Sequence, residues 1–489
     1  MQSYEEFEDS HPRESKRDRL PRRRPERREV AWSEELRPAT HKGGSGIAPI
    51  RKAIGSELRE LFGEATGFRI AGVRQLFDAK RGLMNHVLLA DLLNRLSGVG
   101  LKRDDTLRSD LAALGTQVLA ELLSDRVRPG PREITTAWRA TEAIGIQDND
   151  LLEELARRTK RVLHAFDALD FRFAIAGLAS VQRPSPSIAS LLASVCAAFR
   201  CQIPEAAPDS VLAVLIALGR SGCTDPGLAR DINASLVEQG QGGALRMDAL
   251  TLHSMAALVR CNAELRLREP LIFSRVTEHF RRAFLQGNGD NRALPGTHGA
   301  ADYVWAGAAA GYTPPQDLLA ALESHILAGL PLIQNPESAL ACSIVAIPAL
   351  LVARNGPSAE SFKRFHDLES MERAFSGDSS FEKNVAYVLD QSLGLSFQRE
   401  FRLGPYSLDF LITLPGGRRV NLETDGDHHH LMRNVASNTL ERSYLGRDVV
   451  RDRVLQLFGL ETVRILGSEW NMARDKAELL RERLSGGQQ

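Results

Sequence analysis

Apolar residues recur with two different periods along this chain of 489 residues, and the change of period divides it into regions. From about 65 to 370, Ala and Leu recur every three to four residues, which is typical of amphipathic helices. From about 378 to 484, short alternating strands are mixed with helices. Residues 1–60 have few aliphatic side chains and are rich in Arg, Glu and Pro. We therefore predict a disordered N-terminal segment, a helical region and a C-terminal α/β domain, and the fold class is mostly α.

The helical region is internally repetitive. Similar Ala-rich stretches contain Ala143, Ala179 and Ala217, which are separated by 36 residues (143 to 179) and 38 residues (179 to 217). Each stretch is followed by a polar or Pro/Gly break and then by a second amphipathic stretch. Two helices in a unit of about 37 residues are typical of an α-solenoid. A plain helical bundle with accidental similarity is the alternative.

The C-terminal region has the predicted order α-β-β-β-α-β-α. The pattern indicates strands at 397–401, 407–413, 418–424 and 462–466, and helices at 380–389, 439–457 and from about 470. Pro415 to Gly417 form the turn of a hairpin between the second and third strands. The helix between the third and fourth strands allows these two strands to be parallel.

Acidic residues of this region fall on predicted strands, whose side chains alternate between two faces. If the hairpin pairs in simple register, Asp409 lies near Glu423, which shares its face with Asp425. The preceding helix offers Glu382 to the same side. Two carboxylates at that range favour a divalent cation with oxygen ligands, so Asp409 and Glu423 are the predicted ligands of Mg²⁺ or Mn²⁺.

Histidines and arginines next to the acids extend the candidate site. His429 is the middle of three consecutive histidines that suit acid/base work at neutral pH, with a polar loop as the alternative. The helix predicted at 439–457 carries Arg442, Arg447 and Arg451, which contact phosphates or pair with neighbouring acids.

Composition excludes some classes of protein. Lys and Arg number 62 and Asp and Glu also number 62, so any surface that binds nucleic acid must be local. The five cysteines have no regular spacing, which argues against a disulfide framework and a zinc site. No apolar run appears long enough for a membrane span, and the acidic N-terminus lacks a signal-peptide core. We expect a bacterial cytoplasmic protein, or a protein secreted into a host cell or organelle.

The motifs of the C-terminal region resemble those of a RAP domain. The matching elements are, in order, Ser380 with Glu382, Tyr406 to Asp409, Leu422 to Gly426 with His429, and Gly459 before a Val-Arg-Ile strand. The RAP domain is similar to the restriction-endonuclease-like fold of the PD-(D/E)XK superfamily and to very-short-patch repair endonucleases. Asp409 matches the acid of the second strand, Glu423 the acid of the third strand, and Glu382 the acid of the helix.

Helical repeats followed by a RAP domain resemble the plan of Fas-activated kinase-like and octotricopeptide-type proteins. Those families bind RNA and influence its processing, stability or translation, so the resemblance implies single-stranded RNA as the partner. Asp425 stands where the superfamily has a lysine. Two alternatives remain open: a metal-dependent endonuclease acting on RNA or DNA, and a scaffold whose helical repeats bind a protein.

Overall fold

The computed structural model describes most of the chain beyond residue 46. The described ranges are 47–63, 70–99, 105–181, 184–220, 223–239, 245–267, 269–286, 294–356, 359–368, 379–425, 431–434, 439–442 and 446–486. They belong to two compact units that divide between Phe166 and Asp167. This division lies inside the helical region predicted at 65–370, and the second unit contains both helices and the C-terminal α/β part.

The first unit is entirely helical over its described residues. Its α-helices are α1 (Ile47–Gly63), α2 (Ile70–Lys80), α3 (His86–Val99), α4 (Asp105–Leu122), α5 (Pro131–Ile144) and α6 (Asn149–Val162). Helix α1 begins within the segment predicted to be disordered at 1–60, so that boundary was wrong. Ile54 and Leu58 lie four residues apart on α1 and are completely buried, which explains why the helix forms. The rest of that segment, 1–46, lies outside the described residues.

The second unit begins with paired helices. They are α7 (Ala168–Ser180), α8 (Pro186–Arg200), α9 (Pro208–Arg220), α10 (Pro226–Val237), α11 (Leu252–Glu264), α12 (Pro270–Arg281), α13 (Thr297–Ala310), α14 (Gln316–Gly329), α15 (Pro336–Ala353) and α16 (Ala359–Asp367). Alternate helices α7, α9, α11, α13 and α15 pack side by side, and each also packs against the helix that follows it. These alternate helices start 39 to 45 residues apart, which is a longer step than the sequence pattern indicated.

Local sequence signals define where many of these helices begin. Proline is the first residue of α8, α10 and α15, where its missing N–H costs no hydrogen bond. The side chains of Ser185, Asp225 and Asn335 precede these prolines and accept hydrogen bonds from N–H groups of the first turn. Helix starts are thus encoded in short stretches of sequence.

Helix α15 is long and apolar enough to cross a membrane, judged by length and composition alone. It passes that test although no apolar run of the sequence appeared long enough for a span. A core helix of a globular unit satisfies the same criterion, and α15 packs against α13 and against a helix of the C-terminal part.

The C-terminal part is an α/β arrangement. It contains α17 (Ser380–Tyr387), β2 (Phe397–Leu403), β3 (Tyr406–Thr413), β4 (Arg419–Asp425), α18 (Gly446–Leu457), β7 (Leu460–Leu466), α19 (Gly467–Met472) and α20 (Lys476–Ser485). The strands form one sheet in the order β2-β3-β4-β7. The first three strands are antiparallel, and β4 and β7 are parallel, as the helical crossover permitted. The coarse prediction of a mostly α fold with a C-terminal α/β part is therefore confirmed.

A second, three-stranded sheet was not predicted. It pairs β1 (Cys223–Thr224), which follows α9, with β5 (Leu431–Asn434) and β6 (Thr439–Arg442). The helix predicted over 439–457 begins only at Gly446, so the first part of that prediction was wrong. Thr439–Arg442 pairs with the nearby Leu431–Asn434, which in turn pairs with the distant Cys223–Thr224, a long-range contact that a local pattern cannot reveal.

The two faces of the four-stranded sheet are covered by different helices. One face carries Phe410, Ile412, Leu422 and Ile465, which form an apolar core with residues of α17, α19 and α20. The opposite face is covered by α18, which packs against β7 on one side and against α11, α13 and α15 on the other. The side chains predicted to form a site lie mainly on this second face.

Candidate functional site

Charged side chains form a row across the face of the sheet that α18 covers. The parallel pairing sets Glu423 of β4 beside Arg464 of β7. The antiparallel register pairs Phe410 with Leu422, and its continuation sets Asp409 opposite Glu423. In the same way, the β2–β3 register sets Glu400 opposite Asp409. We call these four residues, Glu400, Asp409, Glu423 and Arg464, the polar row.

Asp409 closes the end of the ladder between β3 and β4. Its Oδ2 accepts a hydrogen bond from the backbone N–H of Thr424 at 2.7 Å and another from the Thr424 hydroxyl at 2.6 Å. The regular pairing of the two strands stops at Phe410 and Leu422, so the carboxylate replaces the main-chain acceptor that the next pair would supply. One oxygen of the predicted metal ligand is therefore used to hold β4.

Glu423 is nearly completely buried beneath α18, with about 4 % of its surface exposed. Its Oε1 accepts from the guanidinium of Arg451, which also donates to the backbone oxygen of Ser407 at 2.7 Å. Burial raises the pKa of Glu423 to about 7, and the nearby charge of Asp409 adds to this effect while Arg451 opposes it. The side chain thus holds a proton over part of the neutral pH range.

Asp425 belongs to a second ionic group on the same face. Arg464 donates to Asp425 at 3.1 Å and to Asp452 of α18 at 2.8 Å. The two carboxylates keep the pKa of the Arg464 guanidinium well above its usual range, although burial acts in the opposite sense. Asp425 thus holds the Arg464 guanidinium next to Glu423.

Two members of this charged face were not identified from the sequence, Glu400 and Asp452. Glu400 has a backbone φ of 48°, which an L residue rarely adopts, and its carboxylate accepts from the Ser407 hydroxyl at 2.6 Å. Strand register would have found it, because Glu400 is opposite Asp409. Asp452 joins the group from α18, through its bond with Arg464.

Glu382 does not join the polar row. Its described ion-pair partner is Arg399, with 4.0 Å between Nη2 and Oε2. Arg399 pairs with Phe410, whose side chain belongs to the apolar face. The expectation that Glu382 points to the same side as Asp409 and Glu423 was therefore wrong, because α17 packs on the other face of the sheet.

The predicted phosphate-binding arginines are in three different situations. Arg447 lies in the first turn of α18 with an exposed side chain. Arg451 is engaged by Glu423 and Ser407, so the ion-pairing alternative holds for it. Arg442 lies on β6 rather than on the helix, so its predicted position was wrong. His429 lies outside the described residues.

Protein donors already occupy part of the predicted metal-ligand set. One oxygen of Asp409 and one of Glu423 already accept protein donors, and the Arg451 guanidinium stands where a cation would compete with it. Within the described ranges, no cluster of three or more His, Cys, Asp or Glu side chains has a geometry suited to a metal ion. The described oxygens thus serve structural contacts.

No protein-family model matches the chain, and no curated protein matches it either. The assignment of a function therefore depends on the residues and their arrangement.

Proposed function

We propose that the protein binds single-stranded RNA through its paired helices and a RAP-type C-terminal domain, and that this domain contacts RNA without cleaving it. The binding would influence RNA processing, stability or translation. The observation that carries the non-cleaving part of the proposal is that Asp409, Glu423 and Asp425 each accept a protein donor.

The connectivity of the C-terminal part supports a restriction-endonuclease-like domain. From α17 to β7 the chain forms a helix, three antiparallel strands, the β5–β6 hairpin, a crossover helix and a strand parallel to β4. The motifs that resemble a RAP domain fall on these elements in the same order. Side-by-side packing of α7, α9, α11, α13 and α15, each with a second helix, supports an α-solenoid before it.

The path of the RNA is constrained by α18. This helix packs against α11, α13 and α15, so that side of the array is used for contact within the unit. We therefore assign RNA contact to the second helix of each pair (α8, α10, α12, α14 and α16) and to Arg447 near the start of α18. Lys363 on α16 and Arg447 on α18 are exposed cations that suit a phosphate backbone.

Equilibrium binding of fluorescently labelled single-stranded RNA tests this function. The full chain should bind RNA, with an affinity that falls as salt concentration rises. Arg447→Gln should weaken binding and reduce the slope of log affinity against log salt by about 0.7, the amount expected for one phosphate contact on a single strand. Arg474→Gln is the matched control. Arg474 is also exposed, but it follows α19, a helix that packs on the apolar face of the sheet, opposite to α18. Absence of RNA binding by the wild-type chain would remove the proposal.

The second candidate is a metal-dependent endonuclease. It is favoured by the guanidinium of Arg464, a positive charge beside Glu423 where the superfamily has its lysine nearby, and by the raised pKa of Glu423. Incubation of labelled RNA and DNA with Mg²⁺ or Mn²⁺ tests it. Cleavage that is lost in both Asp409→Ala and Glu423→Ala would favour the nuclease, whereas no cleavage by wild type favours the binding protein.

A further inference from the structure

A cavity of about 390 Å³ lies where α18 meets the carboxyl ends of α13 and α15. Its size is at the lower end of the range of small-molecule sites in proteins, about 300–1,000 Å³. It lies within the second unit and is lined by residues of the helical array and of the α/β part together. None of the residues that line it belongs to the polar row, so it is separate from the candidate site described above.

Two glycines lie at the end of α13, Gly307 in its last turn and Gly311 at its C-cap. The N–H groups of Gly311 and Tyr312 both donate to the backbone oxygen of Gly307, which terminates the helix. A Cβ on Gly307 would lie 2.8 Å from the oxygen of Tyr312, and Gly311 has a φ of 77°. Larger residues at these two positions would change the chain path that forms the cavity wall.

A guanidinium is fixed in this wall. Arg453 of α18 donates to the backbone oxygen of Ala308 in the last turn of α13. A Cβ on Gly311 would lie 3.0 Å from Nη2 of Arg453, so the glycine lets the arginine approach. A guanidinium held by its protein contact is a preorganised partner for an anion, since little conformational entropy is lost on binding.

The other polar groups around the cavity are neutral. They are the phenol of Tyr312, the hydroxyl of Thr313, and the amides of Asn355 and Gln456. Among the described residues that line it, none carries a carboxylate. One fixed cation, one aromatic ring and two amides suit a ligand that combines a phosphate with a flat base carrying hydrogen-bond donors and acceptors.

We propose that this cavity binds one ribonucleoside monophosphate unit. As a nucleotide of an RNA strand, it would extend the RNA surface from the start of α18 to the seam between α18 and the helical array, and in that form the inference rests on the proposed function. A free nucleotide presents the same chemistry. The Arg453 guanidinium meets the phosphate, Asn355 and Gln456 hydrogen-bond the base, and Tyr312 contacts its face.

Isothermal titration of the full chain tests the cavity. The probes are the four ribonucleoside 5′-monophosphates, the corresponding nucleosides and inorganic phosphate. At least one monophosphate should bind more tightly than its nucleoside and than inorganic phosphate, because base and phosphate are recognised together. No heat of binding with any monophosphate at millimolar concentration would overturn the proposal.

Two variants connect binding to the cavity. Gln456→Glu adds a carboxylate at nearly constant shape and should weaken nucleotide binding by about tenfold or more. Asn355→Gly should weaken it several-fold while preserving the backbone, because Asn355 has a φ of 51° that glycine adopts freely. Gln398→Glu makes the same chemical change on the exposed surface of β2 and should leave binding unchanged. Equal binding by wild type and both cavity variants would overturn the assignment of the site.

Competition with a short single-stranded RNA distinguishes the source of the nucleotide. Displacement of the bound monophosphate by RNA identifies a subsite of the RNA surface, and binding without displacement identifies a free-nucleotide site. A different outcome is that the wild-type chain binds no nucleotide while the cavity variants bind RNA normally. That result would end this inference and leave the proposed function intact.

Discussion

The two faces of the four-stranded sheet pack against their helices through different kinds of interaction. One face buries Phe410, Ile412, Leu422 and Ile465 in an apolar core, where stability grows with the area removed from water. The other carries the polar row, in which the buried side chains of Glu423 and Arg464 must find partners that offset their desolvation. The apolar face is therefore tolerant of pH and salt, and the charged face combines structural contacts with side chains that can respond to both.

The largest expected effect comes from the apolar face. Phe410→Ala removes a completely buried ring that packs edge-on against Phe397 and should cost about 4 kcal/mol of stability. Hydrogen exchange of the β3 and β4 amides, measured by mass spectrometry in increasing urea, reports this loss locally. Tyr387→Ala, at a largely exposed aromatic residue, should change it by less than about 0.5 kcal/mol.

A slightly smaller loss is expected on the charged face when a single cation is removed. Arg464→Leu leaves Asp425 and Asp452 without their shared partner and should cost about 3 kcal/mol in the same exchange measurement. Adding Asp425→Asn and Asp452→Asn should recover much of that loss, because the uncompensated charges are then gone. If the triple variant is no more stable than Arg464→Leu, the loss reflects packing rather than charge.

The pH dependence separates the two faces further. Glu423 has its pKa raised from 4.5 to about 7, so the folded state holds a proton that the unfolded chain has released between these values. Its contribution to stability is therefore highest below this window and falls as pH rises through it, by no more than about 3 kcal/mol. Glu423→Gln should flatten the change in stability between pH 5 and 8, measured by urea denaturation at each pH. A variant with the same slope as wild type would contradict the raised pKa.

The smallest of these effects concerns the end of the ladder. Asp409→Ala removes the acceptor of both Thr424 hydrogen bonds and should cost about 2 kcal/mol. Asp409→Asn keeps a carbonyl acceptor and should recover part of this, whereas Thr424→Val removes only the hydroxyl bond. Protection of the Thr424 amide from exchange is the direct readout, and full protection in Asp409→Ala would show that another group holds β4.

Strand pairing explains how much of the site was accessible from the sequence. Alternation along β3 and β4, together with a short hairpin turn, was enough to predict that Asp409 and Glu423 are neighbours. The same argument failed for Glu382, because the sequence of α17 does not say which face of the sheet that helix covers. Glu400 was not predicted as a site residue, because the residues of β2 alone do not specify its partner strand or its register.

The helix predicted from residue 439 failed for a related reason. Thr439–Arg442 pairs with Leu431–Asn434, and that strand pairs in turn with Cys223–Thr224 in the helical part of the chain. The helical pattern was correct from Gly446 onward, but pairing with the neighbouring strand made Thr439–Arg442 extended. Arg442 consequently left the group of arginines that the helix was expected to present.

The amino-acid sequence by itself determined the period of each element, the helix caps, the hairpin turn and the crossover that allows β4 and β7 to be parallel. These follow from interactions between residues close together in the chain. Only the tertiary structure decided that α18 covers the charged face, that Arg451 and Arg464 pair with the carboxylates, and that a cavity lies beside Arg453 at the end of α13. Such outcomes depend on which distant surfaces meet, and burial then fixes the partners and protonation of the charges enclosed between them.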